Sequence, residues 1–360
     1  SGYVLGAVAG TDEYMIRAVD GLLQNKKYYV KVAAVRVVSG IEMESESEVL
    51  SATTKKASAT STKAKKYTTK AKFKKSAAYK KYKDFRKQVV YGKCFVLPGM
   101  RNTNVAGFNA ARMVPQSITF AGNYLLMSAY DYTKAQESVI YILNKNTRKY
   151  ITTLVLPHTG HVGGITFDGT NIWITYGKKV QSFRYSLITS AAVSGKPYVE
   201  TFSLLNTCQL SDTVSYLAYY KGKLWAGAYN EKLKKYMYGY TILNKTGVPT
   251  LKMTNRMLMP NRTQGVAFTS GGKMLVSRSC QTKKGRSGFL SRLDTYKPTW
   301  NLGKKSIKKN KRKKSVPLPP MNEGIAISGS YTYIIYESPA FSECEAPVDR
   351  ITAFKTKKIS

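Results

Sequence analysis

One short pattern recurs five times along the chain: a polar residue, a small residue, then a hydrophobic strand. Successive copies begin about 45 to 60 residues apart. The copies are Gln116-Ser117-Ile118, His161-Val162-Gly163-Gly164-Ile165, Val214-Ser215-Tyr216-Leu217, Gln264-Gly265-Val266 and Glu323-Gly324-Ile325. A period of this length is typical of repeat proteins whose unit is a small sheet. Closing such sheets into a ring removes their exposed edges, so the pattern predicts an all-β chain folded as a β-propeller.

Each copy of the pattern opens a run of short alternating strands. The first four runs have four strands each, and in the second run the fourth strand is predicted at 198–205. Gly, Asn and Asp in the first turn of each run supply the positive φ angles that tight hairpins require. The run that begins at Glu323 has only three strands. The segment Gln88–Leu97 would supply the missing one and close five four-stranded blades, and a sixth blade within 55–115 is the alternative.

Three regions follow from this count: a sheet module at 1–54, a basic linker at 55–87 and the propeller at 88–360. The first region has predicted strands at Tyr14–Val19, Tyr28–Val38 and Ser47–Ala52. Leu22 lies six residues before Tyr28, and the segment from Tyr28 to Val35 alternates. This arrangement resembles the second half of a fibronectin type III domain, which implies that Tyr28 is a tyrosine-corner residue. With Ser1 at its start and no signal peptide, the chain looks like part of a longer or processed product.

The chain is strongly basic, with 58 Lys and Arg against 20 Asp and Glu. Residues 55–87 contain 13 Lys, and 304–314 form a second basic run. Like charges repel and bury little surface, so 55–87 is predicted to be mostly an extended linker. The positive electrostatic field of the chain favours an anionic cell-wall polymer or glycan as partner. Nucleic acid is disfavoured as a partner because the sequence contains no recognised nucleic-acid-binding module. No run of 18 apolar residues occurs, so we expect no membrane span. We also expect a monomer.

The long loops of the predicted propeller belong on one face. These are the loops before the innermost strands and the loops between the second and third strands. They are 101–114, 157–160, 206–213, 260–263 and 319–322, together with 130–137, 229–235, 278–286 and 337–350. Loops held by a rigid scaffold commonly carry function, so we expect any site around the central channel on this face.

The polar residues that open the inner strands would ring the channel mouth. They are Gln116, His161, Asp212 or Ser215, Gln264 and Glu323. With loop neighbours, the candidate ligand-binding residues are Gln116, Tyr130, His161, Gln264, Asn322, Glu323 and Arg278. These side chains either cap strand ends around a water-filled channel or bind a ligand. If the protein is an enzyme, His161 and Glu323 would exchange protons with the substrate, although the sequence favours binding over catalysis.

The segment Asn322-Glu323-Gly324-Ile325 resembles an inner strand of calcium-dependent lactonase and strictosidine-synthase-like propellers. The resemblance implies a hydrolase or lactonase site with calcium held by oxygens from several inner strands. Calcium requires six to eight oxygen ligands. The matching positions Gln116, His161 and Gln264 are neutral. The sequence therefore predicts no resident cofactor, with calcium as the alternative.

Residues 88–360 as a whole resemble secreted, uncharacterised β-propeller proteins of Gram-positive bacteria. The resembling pieces are Val114-Pro115-Gln116, Met127-Ser128-Ala129-Tyr130, the strand from His161 to Ile165 with Phe167-Asp168-Gly169, Gln264-Gly265-Val266-Ala267 and Asn322-Glu323-Gly324-Ile325. This resemblance implies an extracellular or cell-wall-associated protein. The first hypothesis is therefore a surface protein that binds an anionic polymer or glycan, and the alternative is a propeller hydrolase.

The four cysteines lack the CxxC spacing of structural zinc sites. Cys280 and Cys344 lie in equivalent loops of adjacent predicted blades. They either form a disulfide that would stiffen one face or remain free thiols.

Overall fold

The computed structural model describes residues 27–31, 33–53, 69–98, 113–134, 136–196, 198–201, 205–279, 291–298 and 312–360. Within these ranges the chain forms 25 strands and five α-helices. It divides into two compact units, Ser1–Lys56 and Ala57–Ser360. No helix in the described ranges is long and apolar enough to cross a membrane.

The first unit contains two small antiparallel pairs. Strand β1 (Lys27–Val30) pairs with β4 (Leu50–Thr53), and β2 (Ala33–Val38) pairs with β3 (Ile41–Glu46). The predicted strand Tyr28–Val38 is therefore divided near Lys31 between two sheets. The predicted strand Tyr14–Val19 and Leu22 lie outside the described residues, and the fibronectin resemblance stays a prediction.

The described strands of the second unit form five sheets, here called sheets one to five. Sheet one contains β6 (Met113–Ala121), β7 (Tyr124–Asp131), β8 (Val139–Asn144) and β9 (Tyr150–Val155). Sheet two contains β10 (Ile165–Phe167), β11 (Asn171–Tyr176), β12 (Lys179–Arg184) and β14 (Asn206–Gln209). Sheet three contains β15 (Tyr216–Tyr220), β16 (Lys223–Gly227), β17 (Lys235–Leu243) and β18 (Thr250–Met259).

Sheets four and five complete the second unit. Sheet four contains β19 (Thr263–Phe268), β20 (Met274–Arg278), β21 (Arg292–Tyr296) and β22 (Arg312–Pro317). Sheet five contains β23 (Asn322–Ser328), β24 (Tyr331–Tyr336), β25 (Arg350–Lys355) and β5 (Phe95–Val96). Each of these strands is antiparallel to the next one in its sheet.

The first strands of the five sheets contact one another in cyclic order: β6, β10, β15, β19, β23 and again β6. This convergence explains the small residue of the recurring pattern. A Cβ atom on Gly324 would lie 2.4 Å from the Ser117 hydroxyl oxygen, and one on Gly163 would lie 2.4 Å from the Ser215 carbonyl oxygen. Larger side chains would force neighbouring sheets apart. The second unit is therefore propeller-like.

Hydrophobic clusters fill the space between each pair of neighbouring sheets. The cluster between sheets one and two includes Ile142 and Phe183, and that between sheets two and three includes Trp173 and Leu224. Equivalent clusters join sheets three and four, four and five, and five and one. Because such interiors pack densely, the clusters fix each sheet against both of its neighbours.

The last sheet is completed by residues from the beginning of the second unit. Val96 pairs with Arg350 and Phe95 with Ile351, while the Val90 N–H donates to the Ala353 carbonyl at 2.8 Å. The prediction that Gln88–Leu97 adds the missing strand is confirmed. The strand is shorter than predicted because a 3₁₀ turn interrupts it at Tyr91–Lys93.

The outer edge of sheet two differs from the prediction. The segment predicted as its fourth strand forms β13 (Tyr198–Glu200), which pairs in parallel with β9 of sheet one. Strand β14 takes the outer position instead, in a segment predicted as a loop. An unpredicted helix, α4 (Tyr185–Val193), follows β12 and buries Ile188 and Ala191. This helix contacts β9 and β12, so it leads the chain to the edge of the neighbouring sheet.

The expectation of an extended linker is wrong for residues 69–87. They form the short helices α1 (Lys70–Lys74), α2 (Ala77–Lys81) and α3 (Lys83–Gln88). Phe73, Ala78 and Phe85 are buried in the cluster between sheets four and five. Apolar residues spaced among the lysines give the segment one buried face while the ammonium groups stay in water. Residues 54–68 lie outside the described residues.

Candidate functional site

A cavity of about 380 Å³ opens at the end of the second unit where the first strands begin. Its wall includes residues from first strands and from loops that follow second strands, as the sequence predicts for the functional face. The lining residues are Gln116, Tyr130, Tyr132, His161, Gly163, Gly177, Thr213, Val214, Ser215, Tyr229, Glu231, Gln264, Ser279, Glu323, Glu337 and Phe341. Every one of the five sheets contributes to this wall.

Two glutamate side chains meet at the cavity. Glu323 lies near the start of β23, and Glu337 directly follows β24, the neighbouring strand. The register of these strands shifts between Asn322 and Ile325, and the Glu337 N–H donates to the Met321 carbonyl at 3.0 Å. This local geometry brings the two carboxyl groups into a hydrogen bond. Both residues are buried, with exposures of 3% and 7%.

Burial changes the acidity of both carboxyl groups. It raises the pKa of Glu337 to about 7, although hydrogen bonds from Gln116 and Glu323 oppose the increase. Burial also raises the pKa of Glu323 well above its ordinary value, and the charge of Glu337 adds to the effect. Near neutral pH the two carboxyl groups therefore share a proton in their hydrogen bond.

A glutamine amide donates to each carboxyl group. Gln264 Nε2 donates to Glu323 Oε1 at 2.8 Å, and Gln116 Nε2 donates to Glu337 Oε2 at 3.3 Å. Both glutamines lie on the first strands of other sheets. The pair is therefore oriented by three sheets, and its hydrogen bonds are satisfied without other charged groups.

His161 completes this hydrogen-bonded chain. Its Nε2 bonds to Gln116 Oε1, an atom that can only accept, so the imidazole proton lies on Nε2. The ring stacks on Tyr130 with centroids 4.3 Å apart. Burial lowers the His161 pKa to about 4, and the Lys134 charge adds to the decrease. His161 is therefore neutral at pH 7 and holds the Gln116 amide in the orientation that serves Glu337.

Tyr130 stays protonated near neutral pH. Burial raises its pKa, and the charges of Glu337 and Glu323 raise it further. The phenol thus provides a neutral ring face and a hydroxyl group at the cavity wall. With Tyr132, Tyr229 and Phe341 it gives the cavity four aromatic residues.

Five predicted residues, Gln116, Tyr130, His161, Gln264 and Glu323, line the cavity. Asn322 and Arg278 do not. Asn322 is fully buried and donates to the Ser277 hydroxyl at 2.6 Å. The Arg278 guanidinium pairs with Asp294 at 2.8 Å and with the side chain of Asn261 at 2.7 Å.

Both of these residues thus stabilise sheet four, because their polar groups are directed into it. Of the alternatives Asp212 and Ser215, Ser215 lines the cavity. The second histidine, His158, is separate from His161. It bonds to Gln181 at 2.7 Å and stacks on Tyr176.

The donor set does not fit calcium. The two carboxyl groups share a hydrogen bond, and each accepts an amide N–H where a calcium ion would need free oxygen lone pairs. Within the described residues there is no group of three or more His, Cys, Asp or Glu suited to a metal ion. The resemblance to calcium-dependent propellers therefore does not extend to the ligands.

Sequence reasoning missed Glu337, Tyr132, Tyr229, Glu231 and Phe341, although all lie in loops that it assigned to the functional face. Glu231 also pairs with Arg262 at 3.1 Å. The recurring pattern marks only the starts of first strands. A comparison of the residues that follow the second strands would have singled out Glu337 as an acidic residue beside the cavity.

The three described cysteines form no disulfide. Cys94, Cys208 and Cys344 are free thiols. Burial raises the pKa of Cys344 to about 11, so it is a poor nucleophile near neutral pH. Cys280 lies outside the described residues.

No protein-family model and no curated protein matches the chain. Among solved structures, the chain is similar to the glutaminyl cyclase of Myxococcus xanthus, with 9% identity over 74% of this chain and 94% of that one, at a TM-score of 0.44. It is also similar to a chain of the mitotic checkpoint complex, with 8% identity over 70% and 77% of the two chains, at a TM-score of 0.38. Neither likeness is strong enough to carry an argument about this protein.

Proposed function

We propose that the second unit is a hydrolase that uses the Glu323–Glu337 pair as general acid and general base. The hydrogen-bonded pair at the cavity wall is the observation that carries this proposal. Buried, coupled carboxyl groups with separated pKa values are characteristic of acid–base sites. The cavity volume of about 380 Å³ suits a small substrate.

The pair can supply both the base and the acid of a hydrolytic step. The Glu337 carboxylate removes a proton from a water molecule as the water oxygen attacks a carbonyl carbon. Glu323 donates its proton to the carbonyl oxygen, which becomes a hydroxyl group in the tetrahedral intermediate. Gln116 and Gln264 hold the two carboxyl groups during this exchange. As the intermediate collapses, Glu337 donates the proton it took from water to the leaving alcohol or amine. Glu323 takes a proton from the hydroxyl group that becomes the product carbonyl, so the pair again holds one proton, on Glu323.

The short distance between the two carboxyl groups indicates which type of bond the site would cleave. Glycosidases place their two carboxyl groups about 5–5.5 Å or about 6.5–9.5 Å apart, to leave room for the sugar carbon or for water. Glu323 and Glu337 bond directly to each other. This geometry favours an acyl bond, as in an ester, lactone or amide. The aromatic side chains would contact an apolar part of the substrate.

A panel of small p-nitrophenyl esters, aliphatic lactones and aryl amides tests the proposal. We expect hydrolysis of at least one class, with kcat lowered about 100-fold or more in both Glu323→Gln and Glu337→Gln, because general acid–base groups contribute about 10²–10⁴-fold. Glu345→Gln is the matched control, since that side chain is exposed and pairs with Lys81. Hydrolysis that survives both cavity substitutions would contradict the proposal.

For the scaffold we propose a five-bladed propeller in which each sheet is one blade. The five inter-sheet clusters and the pairing of β5 with β25 support this count. A partial fibronectin type III module and extracellular or cell-wall placement accompany this proposal as sequence-based predictions. Labelling the protein on intact cells with an impermeant reagent tests the placement.

A carboxyl pair is a poor complement for an anionic polymer. The predicted anionic partner would therefore use a surface other than the cavity.

A further inference from the structure

Three lysine-rich elements, far apart in the sequence, meet on the outside of sheet four. Helix α3 contacts β22, and β22 also contacts the C-terminal helix α5 (Thr356–Ile359). The Lys314 ammonium group bonds to the Lys358 carbonyl oxygen, which ties the strand to this helix. Six exposed lysines on these three elements form what we call the basic surface. They are Lys83, Lys87, Lys313, Lys314, Lys357 and Lys358.

Hydrophobic contacts fix the three elements in place. Phe85 of α3, Val316 of β22 and Ile359 of α5 are all buried in the same cluster. The Phe85 and Phe354 rings lie 6.0 Å apart, and the Thr295 hydroxyl donates to the Ile359 carbonyl at 3.0 Å. The lysines therefore cannot separate to relieve their repulsion, as they could in an extended tail.

Few acidic groups neutralise this surface. Asp84 is the one acidic residue of the three elements. Glu345 pairs with Lys81 of the preceding helix at 2.8 Å. Asp294 lies beneath β22, but it is buried and bonds to Arg278 and to the Ser315 hydroxyl. Like charges held close together raise the electrostatic potential of the surface and attract a polyanion.

We propose that the basic surface binds a linear polymer that carries closely spaced phosphate groups and no bases. Six of the eight exposed cationic residues on these elements are lysines; the other two, Arg86 and Arg312, contact the Lys80 carbonyl and Asp294. Lysine binds phosphate oxygens as a point charge, whereas arginine provides a planar fork for defined geometry. The six lysines thus match charge spaced along a flexible chain. Phe85 is the one aromatic residue of the three elements, and it is fully buried, so these elements offer no ring that could stack on bases. This proposal is independent of chemistry in the cavity.

Binding of this kind should depend steeply on salt. Each neutralised phosphate releases condensed counterions, so the affinity falls as a power of the salt concentration. For about six contacts, we expect the Kd to rise on the order of 100-fold or more between 50 and 200 mM salt.

The probe is fluorescently labelled long-chain inorganic polyphosphate, titrated with the full chain at three salt concentrations. The test variant changes all six lysines of the basic surface to Gln. The control variant changes six exposed lysines elsewhere to Gln, and so removes the same total charge. These are Lys149, Lys178, Lys196, Lys232, Lys234 and Lys252. We expect the Kd to rise at least tenfold in the test variant and less than about threefold in the control, with a smaller salt slope in the test variant alone.

Equal losses in both variants would overturn the proposal, because the binding would then reflect net charge alone. Labelled single-stranded DNA and heparin are titrated in parallel. Tighter binding of either one at the basic surface would assign it to nucleic acid or to a sulfated glycan, and would also overturn the proposal. Thermal unfolding keeps the test interpretable: polyphosphate should raise the Tm of wild type and of the control, and leave that of the test variant unchanged. A double variant, Lys83→Gln with Lys87→Gln, should show an intermediate loss if the larger variant is unstable.

Discussion

The Glu323 and Glu337 side chains are hydrogen-bonded to each other, and each accepts a hydrogen bond from a different glutamine. One proton is thus placed between two buried carboxyl groups at the wall of an open cavity. Such a pair is unfavourable to bury for stability alone, because desolvation opposes its charge. Its effects on stability and on activity can be measured separately.

The first prediction concerns stability and pH. Glu337 ionises at about 7 in the folded protein and near its ordinary value of 4.5 in the unfolded chain. Between these values the folded state binds more protons, so this group's contribution to stability is lost as pH rises. The free energy of unfolding of Glu337→Gln, minus that of wild type, should increase from pH 4.5 to 7 and then level off. Urea unfolding measures it, and Glu345→Gln should show no such trend.

The second prediction concerns Gln116. Its amide lowers the Glu337 pKa by donating to the carboxylate. Gln116→Leu should therefore raise that pKa further and move the acid limb of the kcat/KM profile above pH 7. The exposed residue Gln209 offers a control, since Gln209→Leu should leave the profile in place. An unshifted acid limb in Gln116→Leu would show that Glu337 is not the titrating base.

The third prediction concerns the convergence of the first strands. Gly324→Ala should lower the free energy of unfolding by ~1–3 kcal/mol, because its Cβ would lie 2.6 Å from the Ser117 Cα atom. Gly271→Ala is the control, since no atom lies within 4 Å of its added Cβ. Ser117→Gly should restore only part of the loss, as the backbone contact remains. Equal stability of the two alanine variants would mean that sheets one and five are not in close contact.

The fourth prediction concerns the ion pair inside sheet four. The Arg278 and Asp294 side chains are 10% and 0% exposed. Arg278→Met should lower the free energy of unfolding by ~3–5 kcal/mol, because the buried Asp294 carboxylate loses its cation at 2.8 Å and keeps the more distant Arg312, at 3.9 Å. Adding Asp294→Leu should recover most of the loss. The hydrolytic activity of the protein that remains folded should be unchanged. A loss of activity per folded molecule would contradict the assignment of Arg278 to the interior of sheet four.

The fifth prediction concerns the lysine-rich helices. Phe85 is fully buried, so Phe85→Ala should lower the free energy of unfolding by ~3–5 kcal/mol. Lys83→Ala on the same helix should have little effect because Lys83 is exposed. A solvated linker would tolerate both substitutions equally, which distinguishes the two descriptions of this segment.

The recurring pattern was informative because two constraints act on adjacent residues. The small residue lies where neighbouring first strands meet, as at Gly324 and Ser117, while the preceding polar residue lines the cavity. Successive side chains of a strand point to opposite faces, so the small residue and the polar residue before it point in different directions. The pattern therefore marks four residues that line the cavity, Gln116, His161, Gln264 and Glu323.

What the sequence could not supply depends on contacts between distant segments. Strand β13 joins sheet one because α4 delivers it there, and nothing within Tyr198–Glu200 distinguishes one sheet edge from another. The high charge of 55–87 led to the prediction of a linker. A few apolar residues of this segment nevertheless pack helices α1 to α3 against a hydrophobic cluster. The contact between Glu337 and Glu323 depends on the register shift in sheet five, which the sequence does not indicate.

The pairing of β5 with β25 has a consequence for biosynthesis. The partner of Phe95 is Ile351, so a ribosome must translate nearly the entire unit before the final edge can be covered. Until then the edges of β5 and β24 that β25 will cover have unpaired backbone groups, and other chains can pair with them. Premature termination before Arg350 should consequently yield aggregated or degraded product, and not a shortened but functional one.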